Sequence, residues 1–169
     1  MIVVRGVAAL YFLLFAVASL AAPPARVVAA EGAWAALSRG ATCEAASAAL
    51  LPATKDRAQG RASIAFDAAP SGRRGQFAAR LSRAAKPGSS AMLTIGDAPF
   101  LLIARGDLAW SRGPGQEAAI LLALRGGGGM RVAARAERGG RIVDRYDLAG
   151  AATAIDAAAA CAANMLANR

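Results

Sequence analysis

The chain has 169 residues, a formal net charge of +9, two cysteines and no histidine. Its length suits one domain with its own core once any targeting segment is set aside. The absence of histidine excludes Ser-His-Asp and Cys-His catalysis and removes the commonest zinc ligand.

Arg5 is the only charge ahead of an apolar run from Gly6 to Ala21, "GVAALYFLLFAVASLA". That run falls short of the roughly 20 residues that span a bilayer. Ser19 and Ala21 fit the small-x-small cleavage rule, as do Val28 and Ala30. Residues 1–21 therefore read as a Sec-type signal peptide, with an alternative cleavage after 30, and the protein as periplasmic or secreted. Left uncleaved, the same segment anchors the domain to the inner membrane. Residues 22–32, "APPARVVAAEG", are small and aperiodic and read as a flexible lead-in. The remainder, 33–169, reads as a single β-rich domain.

Trp34 and Cys43 bracket a first strand or two, and "RASIAFDA" from Arg61 to Ala68 is strand-like. In "GQFAARLSR", Phe77, Ala79 and Leu81 alternate with Gln76, Arg80 and Ser82, the period of a half-buried strand. Pro87 and Gly88 suit the central positions of a type II turn. "AMLTIG" and "FLLIAR" flank "GDAP" as the arms of a hairpin. From Gln116 the period becomes helical, with Glu117 in the first turn, Arg125 in the last and Gly126 at C′. The glycines Gly126 to Gly129 follow this helix and precede a strand, with no lysine beside them. They are turn and connector, not a phosphate loop.

"MRVAARAE" and "RIVDRYDL" pair through a three-residue loop in which Arg138, Gly139 and Gly140 form the turn. This register sets Arg131 against Asp147 and Glu137 against Arg141, both favourable pairs. It leaves Asp144 on the mostly apolar face, opposite Ala134, near an edge or hydrogen-bonded. The last element is an alanine-rich helix, "AATAIDAAAACAANML", with a stripe of Ile155, Ala158, Ala162 and Leu166. Cys161 flanks that stripe and is expected to bond to Cys43 in an oxidising compartment; two separate buried thiols are the alternative. The fold class is thus mainly β (α+β), an antiparallel β-sandwich-like domain with one short helix and a C-terminal helix.

No nucleophile elbow, dinucleotide fingerprint or EF-hand loop occurs, so no catalytic residue, metal site or cofactor is expected. Asp144 and Asp147 lie an odd number of residues apart on a strand and point to opposite faces. Trp34 and Trp110 read as core anchors in preference to a ligand platform. The basic charge is almost all arginine, Lys55 and Lys86 being the only lysines. It reads first as compositional habit, and second as an anion-binding surface with Arg73, Arg74, Arg80 and Arg83 as candidates.

Taken in order, "GAW" at Gly32 to Trp34, Cys43, "GQFAARLSR", "IGDAPFLLIARGDLAW", "EAAILLALRGGGGMRV" and "DRYDLAGAATAIDAAAAC" resemble the invasion-associated locus B family of exported alphaproteobacterial proteins. The likeness is to its shorter, Arg/Ala-rich type, associated with sphingomonads, and covers nearly all of the chain after the signal. Its most specific piece is a strand ending Tyr-x-Leu, then Ala-Gly, then a small-residue helix. The resemblance implies a small exported domain, mainly β, with no enzymatic activity. The founding member of the family is linked to bacterial entry into host cells. The sequence has fewer cysteines, and fewer Ser and Thr in the late hairpin, than better-known members.

Two functional expectations follow. The first is a non-enzymatic cell-envelope protein that binds another protein or an envelope component. The second is an arginine-mediated module for a polyanion, lipopolysaccharide or acidic phospholipid, with nucleic acid disfavoured by export and by the lack of interleaved aromatics.

Overall fold

The computed structural model describes residues 24–168. The expected signal peptide, 1–21, lies outside them. Ten strands form one hydrogen-bonded antiparallel sheet: β1 (Arg26–Glu31), β2 (Trp34–Arg39), β3 (Thr42–Ala48), β4 (Arg61–Asp67), β5 (Arg74–Arg80), β6 (Ala91–Ile95), β7 (Ala98–Arg105), β8 (Leu108–Trp110), β9 (Met130–Arg135) and β10 (Arg141–Tyr146). Helix α1 (Pro114–Arg125) joins β8 to β9, and α2 (Ala151–Ala167) ends the chain. Spatial order is β1-β2-β3-β4-β5-β8-β7-β6-β9-β10. The domain is mainly antiparallel β with one short and one C-terminal helix, as its sequence leads one to expect.

Four hairpins share one device, a two-residue loop with glycine first: Gly32-Ala33, Gly40-Ala41, Gly96-Asp97 and Gly106-Asp107. Each glycine takes a positive φ, the conformation whose twist matches that of the flanking strands. The expected turn at Pro87-Gly88 is present, closed by Ser89 N–H donating to the Lys86 carbonyl at 3.0 Å.

Strand β7 is the pivot. Its first half pairs with β6 and its last three residues with β8, so the sheet bends there. Two contacts bring the far edge back toward the first half. Leu50 N–H donates to the Arg145 carbonyl at 2.8 Å, and Ser82 N–H donates to Asp144 Oδ2 at 2.9 Å.

Following the register across the strands gives one continuous inner face, running through Trp34, Ala36, Cys43, Ala45, Ile64, Phe77, Ala79, Ala109, Leu102, Leu93, Val132 and Ile142. All of these are buried in one core. Helix α2 lays Ala151, Ala154, Ile155, Ala158 and Ala162 against β1 to β4. Alanine on the helix meets alanine on the strands, which lets the two backbones approach closely. A disulfide between Cys43 on β3 and Cys161 on α2 ties them together. Helix α1 buries Ile120 and Leu124 and packs on β5, β6 and β7.

Several sequence expectations are corrected. Within the segment expected to be a flexible lead-in, Arg26–Glu31 is β1, paired along its length with β2. It shows no period because it lies at the sheet's edge and most of it is exposed. Gly126 keeps a right-handed helical φ of -73°, and Gly127, at 76°, makes the exit turn. Ser82 is buried, because its N–H serves Asp144. Trp34 is a core anchor whose indole N–H donates to the Asp147 carbonyl at 2.8 Å, but Trp110 is half-buried on the outer face. Its register partners there are Ala78 and Ile103.

The late hairpin also departs from the expected register, by two residues. Ala136 N–H donates to the Gly140 carbonyl at 3.1 Å, so the three-residue loop is Glu137-Arg138-Gly139. A shift of two keeps every side chain on its face and changes every partner. Asp144 still points inward, 3% exposed, opposite Val132 instead of Ala134.

Candidate functional site

The corrected register builds the most unusual surface of the domain. On β9 and β10, Arg131 stands directly opposite Arg145, and Arg135 directly opposite Arg141. All four side chains are exposed, with Ala133 and Val143 between the two pairs. Directly opposed residues have Cβ atoms about 4.5–5.5 Å apart, where like charges destabilise. The two pairs are four residues apart along the strands, about 13 Å.

Among the described residues, none of these four arginines forms an ion pair with a carboxylate. The contrast with the rest of the sheet is informative. Arg61 and Arg80 also oppose each other, on β4 and β5. There each has its own acid, Glu44 at 2.5 Å and Asp107 at 3.5 Å. An exposed edge strand commonly carries charge to discourage stray strand pairing. That accounts for Arg141 and Arg145 on β10, but not for Arg131 and Arg135 on β9, which has β6 on one side and β10 on the other.

A shallow hollow lies at each end of the quartet. One, about 760 Å³, is lined by Arg135, Arg141, Lys86, Met92 and Leu101, with Glu137 the one acid on its wall. The other, about 280 Å³, is lined by Arg131, Arg145, Thr94 and Leu50. Both open on the outer face of the sheet. Beyond the quartet that face carries Met92 on β6, Leu101 and Ile103 on β7 and Leu108 on β8, between 38% and 44% exposed, with the exposed Arg105 and Arg80 on either side of Leu108. Trp110 adjoins Ile103 in the same row.

The four arginines expected from sequence do not assemble into a site. Arg73 is committed to Asp67, donating from Nε to Oδ2 at 2.8 Å and from Nη2 to Oδ1 at 2.7 Å. Those bonds hold the Asp67 carboxyl well below the ordinary carboxylate range. Arg74 donates to the Pro70 carbonyl at 3.0 Å, and Arg80 faces Asp107. Arg83 alone reaches the quartet, donating to the Arg141 carbonyl at 2.5 Å. The signal for this cluster is in the sequence: Arg131 and Arg135, and Arg141 and Arg145, each repeat at i, i+4 on a strand and so share a face. Choosing the register by charge complementarity conceals it.

Among the described residues, no group of three or more His, Cys, Asp or Glu side chains is placed to hold a metal ion. No protein-family model matches this chain, and neither a curated protein nor a solved structure matches it.

Proposed function

We propose that this chain is an exported, non-enzymatic cell-envelope domain of the invasion-associated locus B type, and that its working surface is the arginine face of β9 and β10. Its partner is an anionic component of the envelope. The reading rests on one observation: two opposed arginine pairs with which no carboxylate among the described residues forms an ion pair. A fold tolerates such an arrangement at a cost in stability, and an incoming anion removes the cost while gaining charge-assisted hydrogen bonds. Of the two functional expectations, the geometry favours polyanion binding, on arginines other than those first singled out.

Export is supported by the Cys43–Cys161 disulfide, a bond that persists in oxidising compartments. Among the described residues no helix is long and apolar enough to cross a membrane. Of the two cleavage sites, the one after Ala21 fits the fold better, because cleavage after Ala30 removes all of β1 except Glu31.

The test compares two variants with equal change in net charge, R131Q/R145Q and R74Q/R80Q, on a sulfated-polysaccharide column. R131Q/R145Q elutes at clearly lower salt than the parent, and R74Q/R80Q elutes close to it. Relief of the opposed charges leaves the melting temperature of R131Q/R145Q unchanged or raised, by up to the equivalent of about 1 kcal/mol. Equal loss of retention in both variants contradicts a specific face and leaves only net charge.

A further inference from the structure

We infer that the occupant of the arginine face is the surface of an anionic phospholipid bilayer. The inference rests on the anion-binding reading above and adds the identity of the ligand. A soluble polyanion needs only the cations. This face offers more, because β6, β7 and β8, the strands that follow β9 across the sheet, present Met92, Leu101, Ile103 and Leu108, each more than a third exposed, with Trp110 at their margin. Exposed large apolar side chains scattered singly need no explanation, but a contiguous row does. Neighbouring strands are about 4.8 Å apart, so the apolar row on β6 to β8 begins one strand from the arginines. An apolar row bordered by arginines, the quartet on one side and Arg105 and Arg80 on the other, matches a layer of phosphates above acyl chains, where tryptophan is also favoured.

Charge complementarity selects the lipid. Each arginine at an anionic membrane surface strengthens binding about five-fold, so four together account for roughly a thousand-fold. Arginine also grips phosphate through a planar fork that lysine lacks, consistent with the near absence of lysine here.

The experiment measures sedimentation with vesicles of phosphatidylcholine, with vesicles of phosphatidylcholine and phosphatidylglycerol in equal parts, and binding of soluble inorganic polyphosphate. The parent binds the mixed vesicles and not phosphatidylcholine alone. R131Q/R135Q/R141Q/R145Q loses mixed-vesicle affinity by roughly a thousand-fold. L101S/I103S, at two outward-facing positions each more than a third exposed, keeps the parent's far-ultraviolet circular dichroism and loses roughly ten- to thirty-fold on vesicles and nothing on polyphosphate. Emission from Trp110 shifts to the blue with mixed vesicles, and W110F abolishes the shift. Vesicle binding indifferent to L101S/I103S overturns the inference. So does polyphosphate binding without vesicle binding, although anion binding then stands. A protein that binds neither loses both readings. A dimer in lipid-free solution that L101S/I103S dissolves assigns the face to a second copy instead.

Discussion

Replacing Cys43 and Cys161 together with alanine lowers the unfolding free energy by about 4–5 kcal/mol, the loss expected for a cross-link across so long a loop. The two cysteines are 118 residues apart, so the bond constrains nearly the whole described chain in its unfolded state. Cys43 is fully buried on β3, and its partner lies on the flank of α2 facing it. Apart from Ile155, the fully buried side chains of the helix are alanines, each contributing little apolar area, and the cross-link therefore carries a large share of its attachment. In urea denaturation the double variant and the reduced parent should unfold at the same midpoint, both well below the oxidised parent. A variant as stable as the oxidised parent shows that packing of Ile155 and the alanines fixes α2 without the cross-link.

The second large effect is at Gly150, where alanine should cost about 3 kcal/mol or more. Gly150 has a φ of 84°, strained for any residue with a side chain, and an added Cβ falls 1.8 Å from the backbone oxygen of Glu31. Backbone on backbone leaves nothing to rotate away, so either β1 or the start of α2 must move. Gly96→Ala is the control: its φ of 54° is also left-handed, but an added Cβ meets nothing within 4 Å. That variant should show only the conformational cost, roughly 1 kcal/mol. Equal costs at the two positions contradict the close approach of β1 to the helix.

This junction joins the first and the last of the stretches on which the family resemblance rests. "GAW" and the Ala-Gly before α2 touch each other: Ala33 N–H donates to the Ala149 carbonyl at 2.9 Å, beside the Trp34 bond to Asp147. Their residue types are set by packing between the first hairpin and the last helix. They hold the fold together and form no part of the arginine face.

What the sequence makes legible is local. Period-two alternation marks β5, the Gly-Asp turn marks the hairpin of β6 and β7, and helix formers ending at glycine mark α1 from Gln116, two residues after it begins. Strand β1 escapes because an exposed edge strand has no buried face to impose a pattern. The register of β9 and β10 escapes for a more instructive reason. Pairing Arg131 with Asp147 is the better electrostatic choice for an isolated hairpin. The chain instead pairs Arg131 with Arg145, a register in which β10 also accepts hydrogen bonds from Ser82 N–H at Asp144 and from Leu50 N–H at the Arg145 carbonyl. Contacts with distant parts of the chain hold that register, and the arginine quartet follows from it. Arg73 illustrates the reverse, since the loop that returns to β5 delivers it to Asp67, six residues earlier.

The most direct measurement is a map of backbone amide shifts as inorganic polyphosphate is titrated into the oxidised protein. Binding at the proposed face shifts residues of β9 and β10 around Arg131, Arg135, Arg141 and Arg145, and leaves Arg73, Arg74 and Arg80 unmoved. Shifts centred on Arg73, Arg74 and Arg80, or spread evenly over all exposed arginines, contradict it.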